Sequence, residues 1–200
     1  QEAIDPVRFI GNRSSGKMGY ALAKAALAMG ARVTLVTAPT SLSVPFGVEG
    51  VRVTSADEMY RAVDERFCDT SILICAAAVA DYTPAQTASQ KLSKADGTLE
   101  SIELVQTRDI LSDMAHKKGQ RTVVGFAAET NDLVRRATDK LERKQADAIV
   151  ANDVSRDEST FGSNTNKVCW IDHSGSSELP VMGKQELAFE LLKRVADLRR

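Results

Sequence analysis

Three observations predict an α/β sandwich with a mostly parallel central sheet. Strand-like and helix-like segments alternate along the 200 residues. The apolar run 72–80 has the length and composition of a core strand. A turn rich in Ser and Gly, 11–16, stands directly ahead of the first helical pattern.

In order, the segment 18–29 puts Met18, Leu22, Ala25 and Met29 on one helical face, with Gly30 suited to end the helix. ARVTLVT (31–37) reads as a strand, and ADEMYRAVDERF (56–67) as a helix with an acidic first turn. SILICAAA (71–78) is expected to be a strand buried on both faces. SIELV (101–105) predicts a short strand and DILSDMAHKK (109–118) a helix. TVVGFAAE (122–129), NDLVRRATDKLERK (131–144) and DAIVA (147–151) predict strand, helix, strand. KVCWID (167–172) and ELPVM (178–182) predict a small antiparallel hairpin, and KQELAFELLKRVADL (184–198) a closing helix. No repeat and no Pro-, Gly- or Ser-rich linker divides the chain, so 1–200 is expected to be one domain. Two stretches, 82–97 and 156–166, are nearly free of large apolar side chains. They fit binding loops and solvated surface excursions equally well.

Hydrophobic residues make up 43% and charged residues 26%, a globular profile. A net charge of −1 leaves no basic excess for nucleic acid. The run 72–80 is far too short for a bilayer, and QEAIDPVRF lacks the apolar core of a signal peptide. A cytoplasmic protein with no membrane partner is therefore expected. Cys68, Cys75 and Cys169 are odd in number and lack Cys-x-x-Cys spacing, which predicts reduced thiols. Only His116 and His173 are present, both in polar stretches, which disfavours a His-based triad or zinc site.

Four features carry possible chemistry. In FIGNRSSGKMG, Gly11, Gly16 and Lys17 have P-loop spacing, but Met18 stands where a P-loop has the Ser or Thr that binds Mg²⁺. Ser14 and Ser15 can cap the following helix, and Gly16 and Gly19 let a ligand approach its amides. A plain capped helix fits the same residues. In CAAAVADY, small residues end a strand and Asp81 follows, where open α/β sheets bind ligands. Tight packing against a helix explains the alanines as well. Helix 131–144 carries Lys140 and Lys144 on the side of its apolar stripe, Leu133, Ala137 and Leu141. Those lysines either snorkel to water or meet an anion. Lys91 and Lys94 lie in a polar loop that can close on phosphates or remain solvated.

DPVRFIGNRSSGKMG, CAAAVADY, GFAAET and IVANDVS, in this order and spacing, resemble phosphopantothenoylcysteine synthetase over essentially the whole chain. The resemblance implies a Rossmann-like three-layer sandwich in which residues 12–19 cradle nucleotide phosphates without forming a P-loop. It implies a ligase that joins 4′-phosphopantothenate to L-cysteine with CTP, through an acyl-cytidylate, releasing pyrophosphate and CMP. Animal relatives use ATP. A carboxylate that attacks a phosphate faces like-charge repulsion, so fixed donors and cations matter more than a strong base. Mg²⁺ is expected on the phosphates and other groups. A homodimer with a shared active site is implied, as is fusion to a flavin-dependent decarboxylase domain. Family members carry a strand ending in Gly-Pro-Thr just upstream of the position of Gln1, and this sequence lacks it. They also commonly have Asn-Pro in place of Thr107-Arg108.

Carried over by motif, Asn12 orients the phosphopantothenate carboxylate, and Lys91 acts on the nucleotide and its acyl intermediate. Ser14, Gly16 and Gly19 line the phosphates; Cys75, Ala76 and Ala77 meet the nucleotide through their backbone. Ala77 and Ala78 also border phosphopantothenate, and Asp81 stands between substrate, nucleotide and metal. Val105, Gln106, Thr107 and Arg108 form a nucleotide-contacting loop, while Phe126, Lys140, Lys144 and Asn152 complete the nucleotide site. Arg8 is expected to reach the substrate of the neighbouring subunit. Two rival classes remain: a nicotinamide-dependent reductase, disfavoured by the missing dinucleotide fingerprint and Tyr/Lys pair, and a regulatory nucleotide-binding module without turnover.

Overall fold

A computed structural model describes residues 1–93, 100–129, 131–153 and 162–199. Lys94 and most of the stretch 156–166 lie outside the described residues. The chain runs β1 (Glu2–Ala3), β2 (Phe9–Ile10), α1 (Lys17–Ala28), β3 (Thr34–Thr37), β4 (Glu49–Arg52) and α2 (Ala56–Phe67). It continues β5 (Ile72–Cys75), β6 (Tyr82–Pro84), β7 (Leu104–Gln106), α3 (Ile110–His116), β8 (Thr122–Glu129) and α4 (Leu133–Lys144). β9 (Ala148–Asp153), β10 (Thr165–Asn166), β11 (Val168–Asp172), β12 (Gly175–Glu178), β13 (Met182–Gly183) and α5 (Lys184–Asp197) complete it.

Period-two alternation along the central strands builds a core on each face of the sheet. Val123, Ala127, Ile149, Ala151, Cys169 and Ile171 point to one face, against α2, α3 and α4. Val124, Ala148, Val150, Val168 and Trp170 point to the other, against α1 and α5. Helices on both faces make the expected three-layer α/β arrangement. The central sheet has the order β12-β11-β9-β8-β5. β5, β8 and β9 run parallel, and the antiparallel β11–β12 hairpin extends the sheet from β9. β3 and β4 form a separate parallel pair.

Local chemistry sets the helix ends. Ser55 caps α2 by accepting from Glu58 N, and Asp109 caps α3 by accepting from Ser112 N. Gly30, at φ 88°, ends α1 in the left-handed conformation its sequence position suggests.

Three expectations need correction. The segment 71–78 is a strand only over Ile72–Cys75, and Ile72 is 37% exposed. Leu73 and Cys75 pack on one core and Ile74 on the other, so both faces are covered, but β5 lies at the edge of the five-stranded sheet and pairs only with β8 among the described residues, which leaves its side chains partly buried. The partner of β11 is Gly175–Glu178, not 178–182. The Asp172 carboxylate accepts from Ser174 N and Oγ and tightens the turn, which fixes this earlier register. Met29 falls beyond the buried stripe of α1 and is 47% exposed.

Gly125 shows how closely the layers approach. A Cβ there would lie 2.5 Å from Leu111 Cδ2 and 2.9 Å from Ile149 Cδ1. The absent side chain lets α3 settle on β8. Gly125→Ala is expected to lower stability by about 1–3 kcal/mol through overpacking. Urea unfolding of both proteins checks this; an unchanged midpoint and slope would show that Leu111 yields without cost.

Candidate nucleotide and substrate site

The parallel strand β5 ends in register with the middle of β8, Cys75 opposite Gly125. β8 and β9 continue together to Glu129 and Asp153, pairing Ala128 with Asn152. The carboxyl ends of these strands therefore gather Cys75, Phe126 and Asn152 along one rim. In open α/β sheets this is the ligand-binding edge.

The loop after β5 crosses the rim and is held from two sides. Asn12 Nδ2 donates to Val79 O at 2.9 Å. Thr107 Oγ1 donates to Ala80 O at 2.7 Å, and Thr107 N to Asp81 O at 2.9 Å. Thus Asn12, the 79–81 backbone and Thr107 form one connected unit. The bond to Val79 also orients the Asn12 amide, leaving its second N–H and its oxygen for a ligand. Asn12, Ala77 and Asp81 are exposed, while Ala76 and Ala78 are half-buried, so the unit is open to solvent.

Ahead of α1 the chain does not follow the simplest expectation. The serines do not cap the helix: its N-cap is Gly16, left-handed at φ 73° and without a side-chain bond to the first turn. Ser14 Oγ accepts from Gly16 N at 3.3 Å, and Ser15 O from Thr40 Oγ1 at 3.2 Å. An L side chain at Gly16 would be strained. The first-turn amides of α1 thus lack a side-chain cap, which suits an anion. A Cβ at Gly19 would meet nothing within 4 Å, so that face of the turn is open. Lys17 settles the P-loop comparison. Its ammonium donates to Gly162 O at 2.7 Å and Asn164 Oδ1 at 2.8 Å, rather than folding over the 11–16 turn.

Lys140 turns inward, as its helical register implies, and donates to Phe126 O at 3.1 Å. Burial pushes its pKa below the ordinary lysine value, against the opposing pull of Glu129 and Asp81. Burial likewise pushes the Cys75 thiol up to about 12, so Cys75 is a neutral wall and not a nucleophile. Among the described residues no group of three or more His, Cys, Asp or Glu side chains could hold a metal. Asp81, exposed in the loop after β5, offers a single carboxylate, which suits a Mg²⁺ held mainly by phosphates rather than by the protein.

A family model for the DNA/pantothenate metabolism flavoprotein C-terminal domain matches residues 1–198. The chain belongs to this family. It is 47% identical over 200 residues to the coenzyme A biosynthesis bifunctional protein CoaBC of Vibrio parahaemolyticus, covering 99% of this chain and 50% of that protein. It is 46% identical over 200 residues to the CoaBC protein of Bacillus subtilis, covering 99% of this chain and 49% of that one. The chain therefore spans about half the length of these relatives. The crystal structure of the C-terminal domain of a CoaBC protein superposes with a TM-score of 0.83 at 40% identity, covering 98% of this chain and 89% of that chain.

The other expected site residues of this flavoprotein C-terminal domain have the following partners. Arg108 lies 4.5 Å from the centre of the Tyr60 ring, a cation–π contact that draws it toward α2. Lys144 is ion-paired with Asp109, the N-cap of α3. Val105 and Gln106 lie on exposed β7, opposite Thr83 and Tyr82 of β6. Lys91 is exposed. Arg8 is held within its own chain by Asp5 and by Leu92 O. Sequence reasoning passed over Asp5, Tyr60 and Asp109. Asp5 and Arg8 stand at the i, i+3 spacing of a local ion pair, a signal that was available.

Proposed function

We propose that the chain is a ligase of coenzyme A biosynthesis that joins 4′-phosphopantothenate to L-cysteine at the expense of CTP. The observation that carries this reading is the linked unit of Asn12, the 79–81 backbone and Thr107, beside an uncapped helix start and the inward Lys140. The names and extents of the CoaBC relatives support it.

In the first half-reaction a phosphopantothenate carboxylate oxygen bonds to the α-phosphorus of CTP, and the bond to the β,γ-pyrophosphate breaks. The amide of Asn12 holds the carboxylate with a neutral donor, so no charge is added where repulsion is greatest. The α1 amides and Lys140 take up the phosphate charge. Asp81 would hold a Mg²⁺ shared with the phosphates, and that ion would supply further charge neutralisation there. In the second half-reaction the cysteine nitrogen bonds to the acyl carbon, CMP leaves, and the nitrogen gives its proton to solvent. Phe126 offers an aromatic surface to the base, and Asn152 closes the rim.

The functional unit is a homodimer with shared sites, fused in the full-length protein to a flavin-dependent decarboxylase domain. Val7, Phe9, Tyr82, Leu104 and Val105 are 44–62% exposed on β1–β2, the turn between them and β6–β7, and β1 contacts β6. This apolar surface, next to Arg8, suits a second copy. The described bonds of Arg8 use Nε and Nη2, which leaves Nη1 for a partner's substrate. Mixing Arg8→Ala with Asn12→Ala chains should restore activity, because each mixed dimer holds one intact composite site. Absence of recovery with confirmed subunit exchange would contradict sharing.

Mass-spectrometric assay of the amide product tests the reaction. Formation of phosphopantothenoylcysteine only with CTP, phosphopantothenate and cysteine together is expected. Nucleotide binding without product would instead indicate a regulatory module.

A further inference from the structure

We propose that Asp5 is a positioning residue that sets the segment carrying Lys91 and, with it, the guanidinium of Arg8. The side chain of Asp5 is fully buried. Its Oδ1 accepts from Val7 N and Arg8 N, both at 2.8 Å, which shapes the turn between β1 and β2. Its Oδ2 accepts from Arg8 Nε at 2.9 Å and from Leu92 N at 3.2 Å. Arg8 Nη2 in turn donates to Leu92 O at 2.8 Å. Both backbone groups of Leu92 are thus gripped by one ion pair, 84 and 87 residues away in sequence. The grip continues backward along the same segment: Ala88 N donates to Ile4 O at 3.0 Å, and Thr87 Oγ1 to Ala3 O at 3.0 Å.

A carboxylate that accepts several N–H bonds at once fixes its neighbours far more firmly than a solvated loop contact. Lys91 is bonded directly to Leu92, so its backbone takes its place from this clamp while its side chain stays exposed. Arg8 is locked by the same carboxylate. A single buried acid therefore orients two cations at once. This inference rests on the proposed ligase reaction, with Arg8 at the shared site and Lys91 acting on the nucleotide as the family resemblance implies.

Asp5→Asn keeps the shape and removes the charge. Two readouts are needed: trypsin cleavage after Lys91, followed by mass spectrometry, and steady-state turnover with CTP affinity measured separately. The expected result is at least ~10-fold faster cleavage after Lys91 and a ~10-fold or greater fall in kcat with an unchanged CTP Kd. Unchanged cleavage would overturn the clamp. Faster cleavage with normal kcat would show a structural role only and would overturn positioning. If Asp5→Asn does not fold, Leu92→Pro removes one N–H donor from the clamp while the Asp5–Arg8 pair remains. Trypsin does not cut a Lys–Pro bond, so amide hydrogen exchange over residues 87–91 replaces the cleavage readout, with at least ~10-fold faster exchange expected and unchanged exchange overturning the clamp, and turnover is read as before. Lys91→Ala serves as the reference. Normal turnover in that variant would reject the assigned role of Lys91, whereas impaired Lys91→Ala beside normal Asp5→Asn would reject this inference alone.

Discussion

Replacing Asn12 by aspartate is expected to slow acyl-cytidylate formation at least ~10²-fold in a folded protein that still binds CTP. The Asn12 amide donates to Val79 O at 2.9 Å and is exposed. Aspartate has nearly the same shape but no N–H. It loses the bond that orients the side chain and sets a negative charge against the Val79 carbonyl. It also faces the substrate carboxylate and the triphosphate. Loss of one preorganised donor costs about 3–4 kcal/mol in comparable sites, and repulsion adds to this. Asn12 is exposed, so the unfolding midpoint should scarcely move. Rapid-quench measurement of the first turnover separates this loss from later steps. Near-normal pyrophosphate formation by the variant would remove Asn12 from the chemistry.

Lys140→Ala is expected to weaken CTP binding by about 1–3 kcal/mol, the range for charge-assisted hydrogen bonds. Isothermal titration of both proteins measures it. The pH dependence gives a sharper signature. Burial favours the neutral amine of Lys140 and moves its pKa below the ordinary lysine value. A triphosphate favours the ammonium instead. CTP affinity should therefore fall as pH rises through the lowered pKa of Lys140, and Lys140→Ala should lack that alkaline limb. Equal affinities and superimposable pH profiles would mean that Lys140 only satisfies Phe126 O.

The legibility of these residues in sequence followed the range of the interactions that fix them. The alternation in TVVGFAAE and the helical register of Lys140 are local, and both appear in the structure as read. The polar segments Glu49–Arg52 and Gly175–Glu178 carry little apolar pattern, so β4 was not foreseen and β12 was placed late. The edge position of β5 depends on which strands pair beside it, and an apolar run does not carry that information. At the site, small residues at the end of β5 and an Asn-Ser-Gly turn were visible as types. Their union through Val79, Ala80 and Thr107 was not, because it joins positions 27–67 residues apart. The same holds for Asp5 and Leu92. Lys144 shows the converse: its inward register is real, yet a nearby N-cap carboxylate, Asp109, takes its charge.

In the proposed reaction this site activates a carboxylate on CTP before cysteine takes part. Rapid-quench assay of the protein with CTP, Mg²⁺ and phosphopantothenate, in the absence of cysteine, tests it most directly. A burst of pyrophosphate stoichiometric with sites is expected, with an acyl-cytidylate that converts to amide when cysteine is added. Pyrophosphate release that does not need phosphopantothenate, or that waits for cysteine, would contradict the account.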